Sequence, residues 1–102
     1  MSRVYISGGI TGIPDYWKRF FMAEYVLMQM GFHKSEMINP ARICSLLPKD
    51  YTHEEYMTID LALLKTCDTI FMLKGWENSK GANMEHDFAK EAGYNILYEG
   101  SD

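Results

Sequence analysis

Three observations predict an α/β fold built on a four-stranded parallel sheet. Short β-prone segments alternate with helical patterns in the order β-α-β-α-β-α-β, and that alternation puts helices on the faces of a parallel sheet. Thr69-Ile70-Phe71-Met72-Leu73 is the most apolar segment, as suits a strand buried on both faces. A polar, Gly-containing loop then leads from Gly75 into a helix, and open α/β sheets bind ligands at such strand-to-helix loops.

Val4-Tyr5-Ile6 reads as the first strand, followed by a Gly-rich turn from Ser7 to Gly12. Pro14 and Asp15 suit a helix start, and the first helix runs from Asp15 to about Met30, stopping at Gly31. Its Trp17, Phe20, Phe21, Tyr25, Leu27 and Met28 cover more than one face, as in a well-covered core helix or in one that also packs on another subunit. Met37-Ile38 is a short second strand; Pro40 pushes Asn39 towards extended backbone and ends regularity. Ala41 to Lys49 reads as a loop with some local helix. The second helix opens with a capping box, Thr52 to Glu55, with Tyr51 and Tyr56 placed as a hydrophobic staple. It continues to about Thr66, with Tyr56, Ile59, Leu63 and Leu64 inward. The third helix spans roughly Gly81 to Ala92, and Tyr94 to Tyr98 form the fourth strand. Right-handed crossovers limit the topologies. Strand order 2-1-3-4 is expected, a flavodoxin/Rossmann-like three-layer sandwich in which the loops after strands one and three face each other across one crevice.

A chain of 102 residues makes one domain, whose modest core leaves room for help from an oligomer interface. A net charge of −4 argues against binding a nucleic-acid polymer but not against one small anion in a local pocket. No run approaches the roughly 20 apolar residues that span a bilayer, and Met1 to Ile6 lacks a signal-peptide layout, so no membrane partner and a cytoplasmic location are expected. Cys44 and Cys67 form no CxxC and read as reduced, structural thiols. His33, His53 and His86 lack metal-ligand spacing, so no metal is expected.

Glu85 is the unusual residue. At helical spacing it shares a stripe with Phe88, Ala89 and Ala92, the face that should turn inward. A carboxylate there is costly to bury unless paired, hydrogen-bonded or in use; a structural Glu at the stripe's rim is the alternative. Asp60 is a second acid on an apolar helix face, read either as a boundary Asp with a local hydrogen bond or as a site residue. Gly8 and Gly9 fit neither a dinucleotide fingerprint nor a Walker loop; they suit a tight turn or a close approach of ligand to backbone. Ser79, Lys80 and the amides of Gly81 and Ala82 fall at a helix N-terminus, where an anion is favoured and where a capping Ser79 or Asn78 without ligand is the alternative. With Tyr5 at the end of strand one, spacing alone describes a small-molecule pocket with one or two working carboxylates.

Val4-Tyr5-Ile6-Ser7-Gly8, Asp60-Leu61-Ala62-Leu63-Leu64-Lys65-Thr66-Cys67-Asp68 and Ser79-Lys80-Gly81-Ala82-Asn83-Met84-Glu85 resemble, in order and spacing, the nucleoside 2-deoxyribosyltransferase superfamily, with the closest match to a compact branch of unknown function. The resemblance implies that Glu85 is the nucleophile attacking C1′ of a deoxyribose, that Tyr5 orients it, and that Asp60 helps position sugar and nucleophile. Gly8 and Gly9 match the loop lying against the nucleoside. Ser79 stands where transferases of free nucleosides carry an Asp that handles the base proton, and where the related nucleoside-monophosphate N-glycosidases carry a Ser that binds the 5′-phosphate. Lys80, Gly81 and Asn83 complete that implied substrate-binding turn. The implied activity is N-glycosidase or deoxyribosyl transfer on a deoxynucleoside 5′-monophosphate through a covalent glycosyl-Glu, without a cofactor. The implied assembly is a homodimer or higher homo-oligomer in which a neighbouring subunit completes the site. The fifth strand of the full-length enzymes has no counterpart after Tyr98. A non-catalytic nucleotide-binding or sensing module and an interaction protein using the first helix's extra aromatic face are the alternatives.

Overall fold

Side-chain alternation along the two central strands sorts the core into two layers. In the computed structural model, which describes residues 2–100, β1 spans Val4–Ser7 and β3 spans Thr69–Met72. Val4, Ile6, Phe71 and Leu73 pack on one side of the sheet against Phe20, Ala23, Leu27 and Ala41. Tyr5, Ile70 and Met72 pack on the other against Leu64, Cys67, Ala82 and Ala89. The first side is covered by α1 (Tyr16–Gln29) and α2 (Pro40–Cys44), the second by α3 (His53–Leu64) and α4 (Lys80–Glu91). With β2 (Met37–Ile38) and β4 (Asn95–Tyr98), the strands pair in parallel in the order β2-β1-β3-β4, as expected. The chain winds outward in opposite directions from β1 and β3, which opens a crevice at their carboxyl ends.

Several local signals hold. Thr52 Oγ1 accepts from Glu55 N at 3.1 Å while Glu55 Oε1 accepts from Thr52 N at 2.7 Å, and the Tyr51 and Tyr56 rings lie 5.7 Å apart. Others need correction. Pro40 does not end regularity; it opens α2, where its missing N–H would have no helical partner in any case, and Asn39 Oδ1 caps that helix by accepting from Ala41 N at 3.0 Å. Leu73 lies just past β3, although its N–H still donates to Ser7 O at 2.8 Å. The buried stripe of α3 is Met57, Asp60 and Leu64; of the face expected at Tyr56, Ile59, Leu63 and Leu64, Leu64 is fully buried and the other three are half-buried. Asp15 precedes α1 in left-handed backbone, φ 57°, with no capping bond. Trp17, Tyr25 and Met28 of α1 remain exposed. Among the described residues no helix is long and apolar enough to cross a membrane.

A third buried acid, Glu24, carries no local sequence signal. Glu24 is buried on the inner face of α1, where it accepts from Asn39 Nδ2 at 2.9 Å and from Arg42 Nε and Nη2 at 2.8 and 2.9 Å. The guanidinium fork holds its carboxyl below the usual range. The cluster fixes the short α2 against α1 and so sets one wall of the crevice. Replacing Asn39 by Ala removes the α2 cap and one donor to Glu24; a loss of about 1–3 kcal/mol is expected, checked by the shift in urea midpoint.

Candidate active site

Because strand side chains repeat every two residues, Tyr5 and Ser7 leave β1 on the same face, the one α4 covers. Ala82 and Ala89 flank Glu85 at i−3 and i+4 on the buried stripe of α4, and their small size lets that helix lie close to the sheet. The Tyr5 hydroxyl donates to Glu85 Oε2 at 2.6 Å, and the Ser7 hydroxyl donates to Oε1 at 2.6 Å. Glu85 is only 4% exposed. Burial pushes its carboxyl from 4.5 up to about 7; the two hydroxyl donors pull the other way, and the nearby Asp60 charge adds to the rise. Tyr5 is held well above its ordinary value, by burial first and by the Glu85 and Asp60 charges after it, so it remains a donor.

Asp60 reaches the same cleft from α3. Burial lifts its carboxyl from 3.8 to about 6, against the stabilising Cys44 hydrogen bond and the His53 charge. The cleft, about 210 Å3 in volume, has Tyr5, Asp60 and Glu85 along its polar side and Ile10, Tyr16, Phe20 and Met57 among its apolar walls. A wider, shallower groove of about 500 Å3 adjoins it over the α4 N-terminus. Thr11, His53, Ser79 and Gly81 border both spaces.

The residues expected from sequence divide accordingly. Tyr5, Gly8, Asp60, Ser79, Gly81 and Glu85 line the cleft, while Gly9 and Lys80 line the outer groove. Ser79 caps α4, its Oγ accepting from Ala82 N at 3.2 Å. The helix therefore begins at Lys80, one residue before the expected Gly81. Gly8 is required by packing as much as by any ligand, because a Cβ there would fall 2.8 Å from Leu73 Cδ1. Gly81 similarly lets α4 approach α3, since a Cβ would meet Met57 Sδ at 2.9 Å. Asn83 lines neither space; its Nδ2 donates to Glu77 O at 2.9 Å and Ser79 O at 2.8 Å, bracing the turn.

Ser7, Cys44 and His53 join the site without having been singled out as site residues. Ser7 was findable: two residues beyond Tyr5, it had to share its face. Cys44 lay in a segment read as loop, and nothing in the sequence tied it to Asp60. Among the described residues, no group of three or more His, Cys, Asp or Glu side chains is arranged to hold a metal ion.

A family model described as Domain of unknown function (DUF4406) matches residues 2–98, and the chain belongs to that family. No curated protein and no solved structure matches significantly.

Two outcomes follow from the carboxyls. Each binds its proton more tightly folded than unfolded, so between about pH 4 and 7 the folded state holds the extra protons and stability falls as pH rises. The slope is at most about 1.4 kcal/mol per pH unit for each group. Urea midpoints should therefore decline from pH 5 to pH 7, less steeply in Glu85→Gln. Tyr5→Phe removes a donor that favours the ionised form, so the Glu85 midpoint should move above about 7, as read by carboxyl carbon NMR.

Proposed function

We propose that the protein cleaves the N-glycosidic bond of a deoxynucleoside 5′-monophosphate by hydrolysis or deoxyribosyl transfer, with Glu85 as nucleophile. One observation carries the reading: a buried carboxyl faces a cleft, oriented by two neutral hydroxyls and by no cation, with a second raised carboxyl beside it. An acid that needed only to be stable in a core would be better paired. In the first step a Glu85 oxygen bonds to C1′ while the C1′–N bond breaks, the electron pair leaving with the base nitrogen, which takes up a proton from solvent. Water or an acceptor base then displaces Glu85 from C1′, giving up a proton to solvent and regenerating the carboxylate. Tyr5 and Ser7 hold the plane of the attacking group, and Asp60 accepts from a sugar hydroxyl.

The two joined spaces suit a two-part ligand. The apolar cleft takes the planar base and sugar. The outer groove offers the α4 amides and the Lys80 ammonium to a phosphate. The spatial juxtaposition of Ser79 and Lys80 supports a nucleotide over a free nucleoside.

A second reading, a binding or sensing module without turnover, is favoured by a different observation: both Glu85 oxygens already accept a hydroxyl, and Ser79 Oγ already caps α4. Incubation with deoxynucleoside 5′-monophosphates separates the two. Catalysis predicts free base by chromatography, a rate that climbs with pH to a plateau above about 7 as Glu85 ionises, and loss of at least a hundredfold in Glu85→Gln. Ligand-induced stabilisation with no free base, surviving in Glu85→Ala, would establish the module instead.

A further inference from the structure

Asp60 has a single hydrogen-bond donor among the described residues, and it is a thiol. Cys44, the last residue of α2, donates its S–H to Asp60 Oδ1 at 3.5 Å. Both residues line the cleft. The bond crosses from α2 on one side of the sheet to α3 on the other, at the open end of the crevice. The wall carrying Cys44 is itself anchored: Asn39 caps α2, and Arg42, two residues before Cys44 on the same short helix, is locked to Glu24.

We propose that Cys44 is a positioning residue, its thiol holding Oδ1 of Asp60 so that Oδ2 is left to accept a hydrogen bond from the ligand. The identity of that ligand rests on the function proposed above; the Cys44–Asp60 contact does not. The thiol can only act as donor here, because burial and the Asp60 charge push it up to about 12, and it stays protonated. The other titratable groups facing the cleft that Asp60 lines come from every element around it: Tyr5 from β1, Tyr16 from α1, His53 and Tyr56 from α3, and Glu85 from α4. Among these, Glu85 is anionic when ionised and works against a second charge. The hydroxyls of Tyr5 and Ser7 are committed to Glu85, and that of Tyr56 donates to Pro48 O. The weak thiol is thus the donor that fixes Asp60. A thiol in this place also keeps the cleft wall largely apolar where a stronger donor would not.

The test is the titration of Asp60 in the free protein, followed by carboxyl carbon NMR in wild type and in Cys44→Ala, Cys44→Val and Cys44→Ser. Loss of the donor in the Ala and Val variants should raise the Asp60 midpoint on the order of 0.5 pH unit. Ser, which keeps a donor, should bring it back towards the wild-type value. Val fills the space of the thiol, so it gives the answer if the Ala variant does not fold. An Asp60 midpoint that is the same in wild type and the donor-free variants overturns the assignment. The experiment needs no turnover. Absence of base release would therefore sink the glycosidase reading and leave this one standing, and an unmoved Asp60 midpoint would do the reverse.

Discussion

The structure depends on how one buried carboxyl is satisfied. Glu85 is joined to Tyr5 and Ser7 across sequence separations of 80 and 78 residues, so a single side chain locks the middle of α4 to the first strand. A slip of α4 by one residue would carry Glu85 about 100° round the helix, away from both hydroxyls. The Ser79 cap that starts the helix and the Gly81 contact that seats it on α3 therefore define the site as well as the fold. The energetic logic is that of any buried acid: without partners it costs several kcal/mol, and with neutral donors it is retained but raised to about 7.

Glu24 shows that the same chain can bury an acid quite differently. There a guanidinium meets the carboxylate with two N–H bonds, an amide adds a third, and the group is held below its usual range. That acid is locked in its charged form and joins two helices. Among the described residues Glu85 is held by two hydroxyls and by no cation, and it lines a cleft rather than joining two helices. The contrast separates a carboxylate held charged from one raised towards neutral, and it has two causes: Glu24 meets a guanidinium, whereas Glu85 is raised first by burial and has only neutral donors to offset it.

The topology explains why the poised groups meet. Side chains from β1, α2, α3 and α4 converge only at the crevice where the chain leaves the sheet in opposite directions. That crevice is lined with apolar side chains, so every carboxyl in it is raised by desolvation. The α4 N-terminus at its edge supplies the compensating positive end of a helix dipole. A ligand spanning both spaces would meet a largely apolar, acid-bearing cleft at one end and a polar rim carrying Lys80 at the other.

Much of this was legible in the residues. Strand–helix alternation determined the parallel sheet and its order, because a chain with crossovers of one hand has few ways to wind. Periodicity placed Glu85 on a buried stripe and Asp60 near one, and the Thr52–Glu55 pattern fixed a helix start, because these are local properties of period and cap. Contacts between distant segments were not legible. Glu24 looked like one acid among fourteen until α2 brought Arg42 to it; Pro40 read as a break although it opens a helix capped by Asn39; and Cys44 met Asp60 only when two helices closed on one crevice. The sequence by itself determined the strand–helix alternation, the sheet order and the inward stripe of α4, because these follow from local period and chain winding. Tertiary structure alone decided which polar group each buried acid meets, because that depends on the relative placement of segments far apart in the chain, and with it whether the acid is held below or above its ordinary range.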